Sequence, residues 1–255
     1  MTAQNQSMRT NDGHKIEAPE VTLRIPGTWS RPEEFYERLP RGCRCADGSL
    51  VLVDGSEFEL NVLPADEEFP RIFAGSCSKT PTEDEQERIE SYKVNICLTR
   101  RGGSIEAATK IMEGAAAVLA AGGAGVFVDN SGVAHGATDW LALFHSADDG
   151  GVYWAFIGAV RSADEIYSVG MHVLGFRDAI IPATGNAEYD ARTLHSFLGC
   201  LAFSGTPLHD GDVVGDTVLP TFRVHEQAED RFPASAPMFN PHGRWRLKRL
   251  GGEQN

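Results

Sequence analysis

The sequence predicts an α+β protein, a mixed and largely antiparallel sheet with helices packed on it. Three observations point there. The stretch Gly102–Trp140 reads in order as a small-residue helix, a glycine stop, an apolar strand, a polar turn and a second helix start. Elsewhere, neighbouring strand-like runs are separated only by short turns. Such turns join antiparallel partners, because a parallel pair needs a crossover of about a dozen or more residues. Finally, Leu194, Phe197, Leu198 and Leu201 stand at i, i+3, i+4 and i+7, the stripe of a helix lying on a sheet. With 255 residues, 42% hydrophobic and 23% charged, the chain is long enough to bury one core or two small ones.

Residues 1–18 show no hydrophobic period and are expected to be a disordered arm. An N-terminal β-α-β-β unit is expected over 19–75. Val21, Leu23 and Ile25 alternate as a strand that Pro26-Gly27 should end, and Ser30 with Glu33 forms a capping box for a helix over 31–39. Ser49–Asp54 and Glu57–Leu63 are strands across an Asp54-Gly55 turn, with Phe58, Leu60 and Val62 inward, and residues 66–74 form a short helix. Residues 76–91 read as an acidic linker in which Thr82 and Glu85 cap one helical turn.

The main domain is expected over 92–250. Residues 92–99 form a strand with Val94, Ile96 and Leu98 on one side, Ser104 caps a helix over Ile105–Ala121, and Gly122-Gly123 stops it. Gly125–Val128 is a buried strand, and Thr138 caps a third helix with Leu141 and Phe144 inward. Val152–Val160 and Ile166–Val173 read as strands, the Leu194 helix closes at Gly205, and Thr221–Val224 and Trp245–Leu247 are the last strands. The β-α-β-β rhythm occurs twice, as two ferredoxin-like units would give.

The formal net charge of −13 repels phosphate backbones and argues against nucleic acid. The basic cluster Arg244, Arg246, Lys248 and Arg249 reads as the exposed face of a last strand. No apolar run approaches the roughly 20 residues a membrane helix needs. The polar N-terminus lacks the apolar core of a signal peptide. Five scattered cysteines, Cys43, Cys45, Cys77, Cys97 and Cys200, read as reduced thiols of a cytoplasmic protein.

Ala121–Gly125, AGGAG, follows a helix and precedes a strand, the reverse of a dinucleotide fingerprint, so the glycines are stops. The turn after Val128 is the candidate for ligand or partner contact: Asp129, Asn130, Ser131, His135, Asp139, Trp140 and His145. A His four residues before an Asp suits a general base, and His135, Asp139 and His145 are metal-ligand types. The spacing is not HExxH, and Asp139 equally suits the first turn of a helix. His209-Asp210-Gly211-Asp212 lacks the later oxygen ligands of a calcium loop and reads as a turn. Cys43-Arg-Cys45 is half a thiolate site and reads as two side chains on one strand face. No GxSxG, Walker loop, kinase set or CxxC occurs. No metal or cofactor is expected.

Three segments carry a resemblance. Gly125–Val128 with Asn130–Val133 is the first, Tyr167–Met171 with Leu174-Gly175 the second, and Leu194–Gly215 the third, a helix ending in a Leu-x-Asp-Gly-Asp-x-x-Gly turn. Together they resemble the bacterial family grouped as domain of unknown function 4261, over roughly residues 90–226. The resemblance implies a cytoplasmic bacterial α/β protein and brings no catalytic residue set. Asp210, Gly211, Asp212 and Gly215 carry over only as motif positions. This chain departs where relatives have an aromatic pair after Gly-Val, since Val128 and Asp129 follow Phe127 here.

Acidity without a marked nucleophile leads to the expectation of a non-enzymatic binding or protein-interaction module, of immunity or accessory type, with a protein partner. The alternative is a hydrolase or metal-dependent enzyme on His135, Asp139, His209, Asp210 and Asp212. It requires the two turns to converge.

Overall fold

Strand β1 (Glu20–Gly27) is the interior strand of the first sheet, with β5 (Val94–Arg101) on one side and β6 (Gly125–Val128) on the other, both antiparallel. The computed structural model describes residues 17–146, 150–215 and 220–250, so the expected arm lies outside it except for its last two residues. Beyond β5 come β4 (Glu57–Pro64), β3 (Ser49–Val51) and β2 (Arg44–Ala46). Beyond β6 comes β7 (Val133–Gly136), giving the order β2-β3-β4-β5-β1-β6-β7. Register places Leu60, Leu98, Leu23 and Val128 side by side across four strands. All four are buried in one core cluster.

Helix α4 (Ile105–Ala120) covers that row with Ala108, Ile111, Met112, Ala115, Val118 and Leu119. Ser104 caps it through the Ala107 N–H at 3.1 Å, as its sequence predicts, a contact worth about 1 kcal/mol. Gly114 is required by the close approach: a Cβ there would lie 2.7 Å from the Phe58 ring. The crossover β5-α4-β6 passes over β1, and β4-β5-β1-β6 is the strand order of one ferredoxin-like unit.

That unit is built across the expected boundary. Strands from 19–75 and from 92–136 share one sheet, and the segment expected to be a linker carries α3 (Glu83–Glu90) instead. With α1 (Pro32–Arg38) and α4 serving one face, α2 (Phe69–Ser76) and α3 cover the other, over a small core of Phe69, Phe73, Ile89, Tyr92 and Ala134. The division at 76–91 therefore does not separate two sheets. Pro26-Gly27 also continues β1 instead of ending it, and α1 starts from Arg31 without a side-chain cap.

The second sheet has the order β11-β12-β13-β10-β9-β8, built from β8 (Gly158–Arg161), β9 (Glu165–Val169), β10 (Asp178–Pro182), β11 (Val213–Val214), β12 (Phe222–Gln227) and β13 (Arg244–Arg249). Its one parallel pair is β10 with β13, and α7 (Ala187–Phe203) packs on β9 and β10. This sheet is not a second ferredoxin-like unit, because it is two three-stranded meanders, β8-β9-β10 and β11-β12-β13, joined through the parallel pair. Residues of both sheets join the same main core, so the molecule is α+β with antiparallel sheets and packed helices.

Two further expectations are corrected. Residues 152–156 belong to α6 (Gly150–Phe156), not to a strand; a short run that is apolar all round fits a buried helix as well as a strand. Arg244, expected on an exposed face, is buried and ion-paired with Glu229 and Asp230. Among the described residues no helix is long and apolar enough to cross a membrane, and all five cysteines are free.

Candidate functional site

The hairpin β6–β7 and the helix after it, α5 (Ala137–Phe144), hold the residues singled out in the sequence. Most of them point inward. Asp129 holds Arg24 at 2.8 and 3.0 Å; burial raises its carboxyl pKa and the guanidinium opposes this. Asn130 is 1% exposed and joins three segments. Its Oδ1 accepts from the Thr22 N–H (3.0 Å), and its Nδ2 donates to the carbonyls of Glu20 (2.8 Å) and Pro237 (3.1 Å). Ser131 is buried with its hydroxyl unpartnered. Trp140 is wholly buried against His135 and Phe156. His145 is exposed and bonds the Leu141 carbonyl of its own helix at 2.7 Å.

His135 and Asp139 meet as their spacing suggested, Nδ1 to Oδ2 at 2.8 Å. The other ring nitrogen lies 3.2 Å from the Ala155 carbonyl, and the other carboxylate oxygen accepts from Lys79 at 2.6 Å. The hydrogen bond from His135 holds the Asp139 carboxyl down at about 2, with burial opposing and Lys79 assisting. His135 is 2% exposed and hydrogen-bonded at both ring nitrogens. The pair ties β7, α5, α6 and the loop at Lys79 together.

Glu85 completes this junction. One carboxylate oxygen accepts from the Thr82 N–H (2.8 Å) while Thr82 Oγ1 accepts from the Glu85 N–H (3.3 Å), the reciprocal capping box of α3. The other oxygen accepts from the Thr138 N–H at 2.6 Å, in the first turn of α5. Burial pushes its pKa up, but the hydrogen bonds from Thr138 and Thr82 outweigh that and leave it lowered. One carboxylate thus serves two helix N-termini.

The turn at 209–215 stands apart. The Asp212 carboxylate accepts from the His209 N–H (2.8 Å), Asp210 accepts from the Glu226 N–H (2.8 Å), and Gly211 takes φ +87°. Gly215 (φ +154°) follows β11 and sits against Thr221. Among the described residues no hydrogen bond or ion pair joins this turn to His135–Asp139. Nor do three or more His, Cys, Asp or Glu side chains gather there to hold a metal ion. The cysteines of Cys43-Arg-Cys45 are half-buried, and burial, with Cys43 nearby, pushes the Cys45 thiol up to about 11.

The sequence reading missed a different surface. On α6 and α7, Trp154 is 50% exposed and Phe203 45% exposed, and between them lie Tyr153 and His195. The Tyr153 ring meets Trp154, His195 and Phe203 at centroid distances of 5.1, 5.9 and 6.2 Å, and Trp154 lies 4.7 Å from His195. Tyr153 Oη and His195 Nδ1 are hydrogen-bonded at 2.7 Å. Burial raises the Tyr153 pKa and lowers that of His195, so both are neutral at pH 7. Gly199 lies one turn from each of His195 and Phe203, and a Cβ there would touch nothing, which leaves the shelf open. A signal existed: Phe203 lies off the Leu194 stripe, and a large ring there has to face outward.

No family model, curated protein or solved structure matches this chain. The likeness to domain of unknown function 4261 therefore rests on the three motif segments alone.

Proposed function

We propose that this chain is a non-enzymatic protein-interaction module of immunity or accessory type, acting in the cytoplasm and docking a protein partner on the α6–α7 shelf. The observation that supports the reading is the exposed pair Trp154 and Phe203 around the buried Tyr153–His195 bond. Tryptophan and tyrosine dominate binding hot spots, and contiguous apolar surface on a folded domain marks contact sites. The Tyr153–His195 bond fixes the His195 ring against Trp154, so that side chain loses little entropy on docking.

The test is affinity capture from the native bacterium with wild type, Trp154→Ala and Phe203→Ser, followed by size-exclusion chromatography of the recovered complex. A partner retained by wild type and lost by both variants, at unchanged thermal stability, supports the reading. A partner retained equally by all three refutes the shelf, and a wild-type protein that recovers no partner refutes the module.

A further inference from the structure

A second surface lies on the opposite side of the first sheet, where α2 and α3 cross its outer face. Between the two helices is a notch of about 110 Å³, with Pro70, Phe73, Ala74, Pro81 and Ile89 among its walls and Gln86 and Glu90 at its rim. Its size is below the ~150 Å³ of an apolar cavity that takes a benzene ring. That suits one branched aliphatic side chain.

The charges around this notch are one-sided. On α3, Glu83, Glu87 and Glu90 are exposed and make no ion pair among the described residues, and Glu67 just before α2 makes none either. The nearby cations already have partners. Arg71 holds Glu68 at 2.5 Å, and Lys79 holds Asp139 at 2.6 Å. Arg88 donates to the carbonyls of Gly122 (2.6 Å) and Gly123 (3.0 Å) and lies 3.5 Å from Asp84. An apolar notch with Glu90 in its lining, on a helix whose Glu83 and Glu87 make no ion pair among the described residues, complements a positively charged chain with one aliphatic anchor.

We propose that the α2–α3 cleft docks a basic segment of a partner protein, seating one aliphatic side chain in the notch while lysines or arginines on either side face Glu83, Glu87 and Glu90. The proposal stands independently of the α6–α7 shelf. Ala74 is exposed on the notch wall, so Ala74→Leu fills the space from a helix position where leucine is well tolerated.

The probe is a short synthetic peptide with one leucine between paired lysines, labelled at its N-terminus and titrated by fluorescence anisotropy at low and at physiological salt. Three controls accompany it: the same peptide with asparagine for leucine, one with glutamates for lysines, and tetralysine. Binding of the leucine–lysine peptide is expected to weaken about tenfold with Ala74→Leu. With Glu87→Lys combined with Glu90→Lys it should also weaken about tenfold, and lose most of its salt dependence. Trp154→Ala should leave it unchanged. Equal binding of the asparagine peptide or tetralysine overturns the notch, and equal binding of the acidic peptide overturns the charge argument. Loss with Trp154→Ala assigns the binding to the shelf and overturns the cleft. Far-UV circular dichroism of each variant separates loss of binding from loss of fold.

Discussion

Asn130→Ala separates the structural role found for this residue from the contact role its position in a polar turn suggested. The substitution removes the acceptor of the Thr22 N–H and the donor to the Glu20 carbonyl, while Pro237 keeps His172 Nε2 at 3.1 Å. Two backbone groups on β1 are left without partners. Each such orphan costs about 1–3 kcal/mol when buried. Glu20 is itself at the exposed end of its strand, where water replaces part of the loss, so the total settles at about 3 kcal/mol. For a chain of this length that lowers Tm by about 6–12 °C. The assay is guanidinium unfolding followed by circular dichroism, read as a shift of the midpoint at constant slope. Asn130→Asp keeps the acceptor, loses both donors and adds charge, so it should be no more stable than the alanine variant. A loss below about 0.5 kcal/mol for Asn130→Ala, the range of an ordinary surface change, would refute the clamp.

Two other expectations follow from buried groups. Trp140→Ala empties a wholly buried site against His135 and Phe156, and should cost about 3–5 kcal/mol in the same unfolding assay. Asp178 is 1% exposed, and burial pushes its carboxyl up to about 7 despite hydrogen bonds from Asn240 and Ser168 at 2.7 Å each. The folded state thus binds a proton that the unfolded chain releases near 4. Its contribution is fully present below about pH 4 and is lost as pH rises through about 7. The stability advantage of wild type over Asp178→Asn should shrink as pH rises from 4 to 8, the histidines contributing equally to both proteins; a difference that stays constant across that window would contradict the assignment.

The elements legible in the sequence are those whose signals are local. Ser104 caps α4 where the sequence places the cap, Thr82 and Glu85 form the capping box their spacing announces, and Leu194, Phe197 and Leu198 are buried on α7. The hairpin β2–β3 had a signal, Asp47-Gly48, that passed unread; both residues take positive φ, as a two-residue hairpin turn needs. Strand β7 did not, because four residues including a histidine show no alternation, and only pairing with β6 makes them a strand. At the candidate site the i, i+4 contact of His135 with Asp139 was readable. The burial of Asn130 and Trp140 was not, since a polar turn normally faces water and here the 237 loop, α4 and α6 close over it.

The interior position of β1 has a consequence during synthesis. Its pairs with β5 run from Glu20↔Arg101 to Gly27↔Val94, and its pairs with β6 reach Val128. At about 5–20 residues per second, the ribosome needs about 4–20 s to deliver those partners after β1 has emerged. Throughout that interval Val21, Leu23 and Ile25 form a nascent strand with both hydrogen-bonding edges open and nothing to zip onto. Slowing the ribosome at codons between β4 and β5 should therefore lengthen a sticky interval, and the nascent chain should recruit a holdase chaperone until β5 is out.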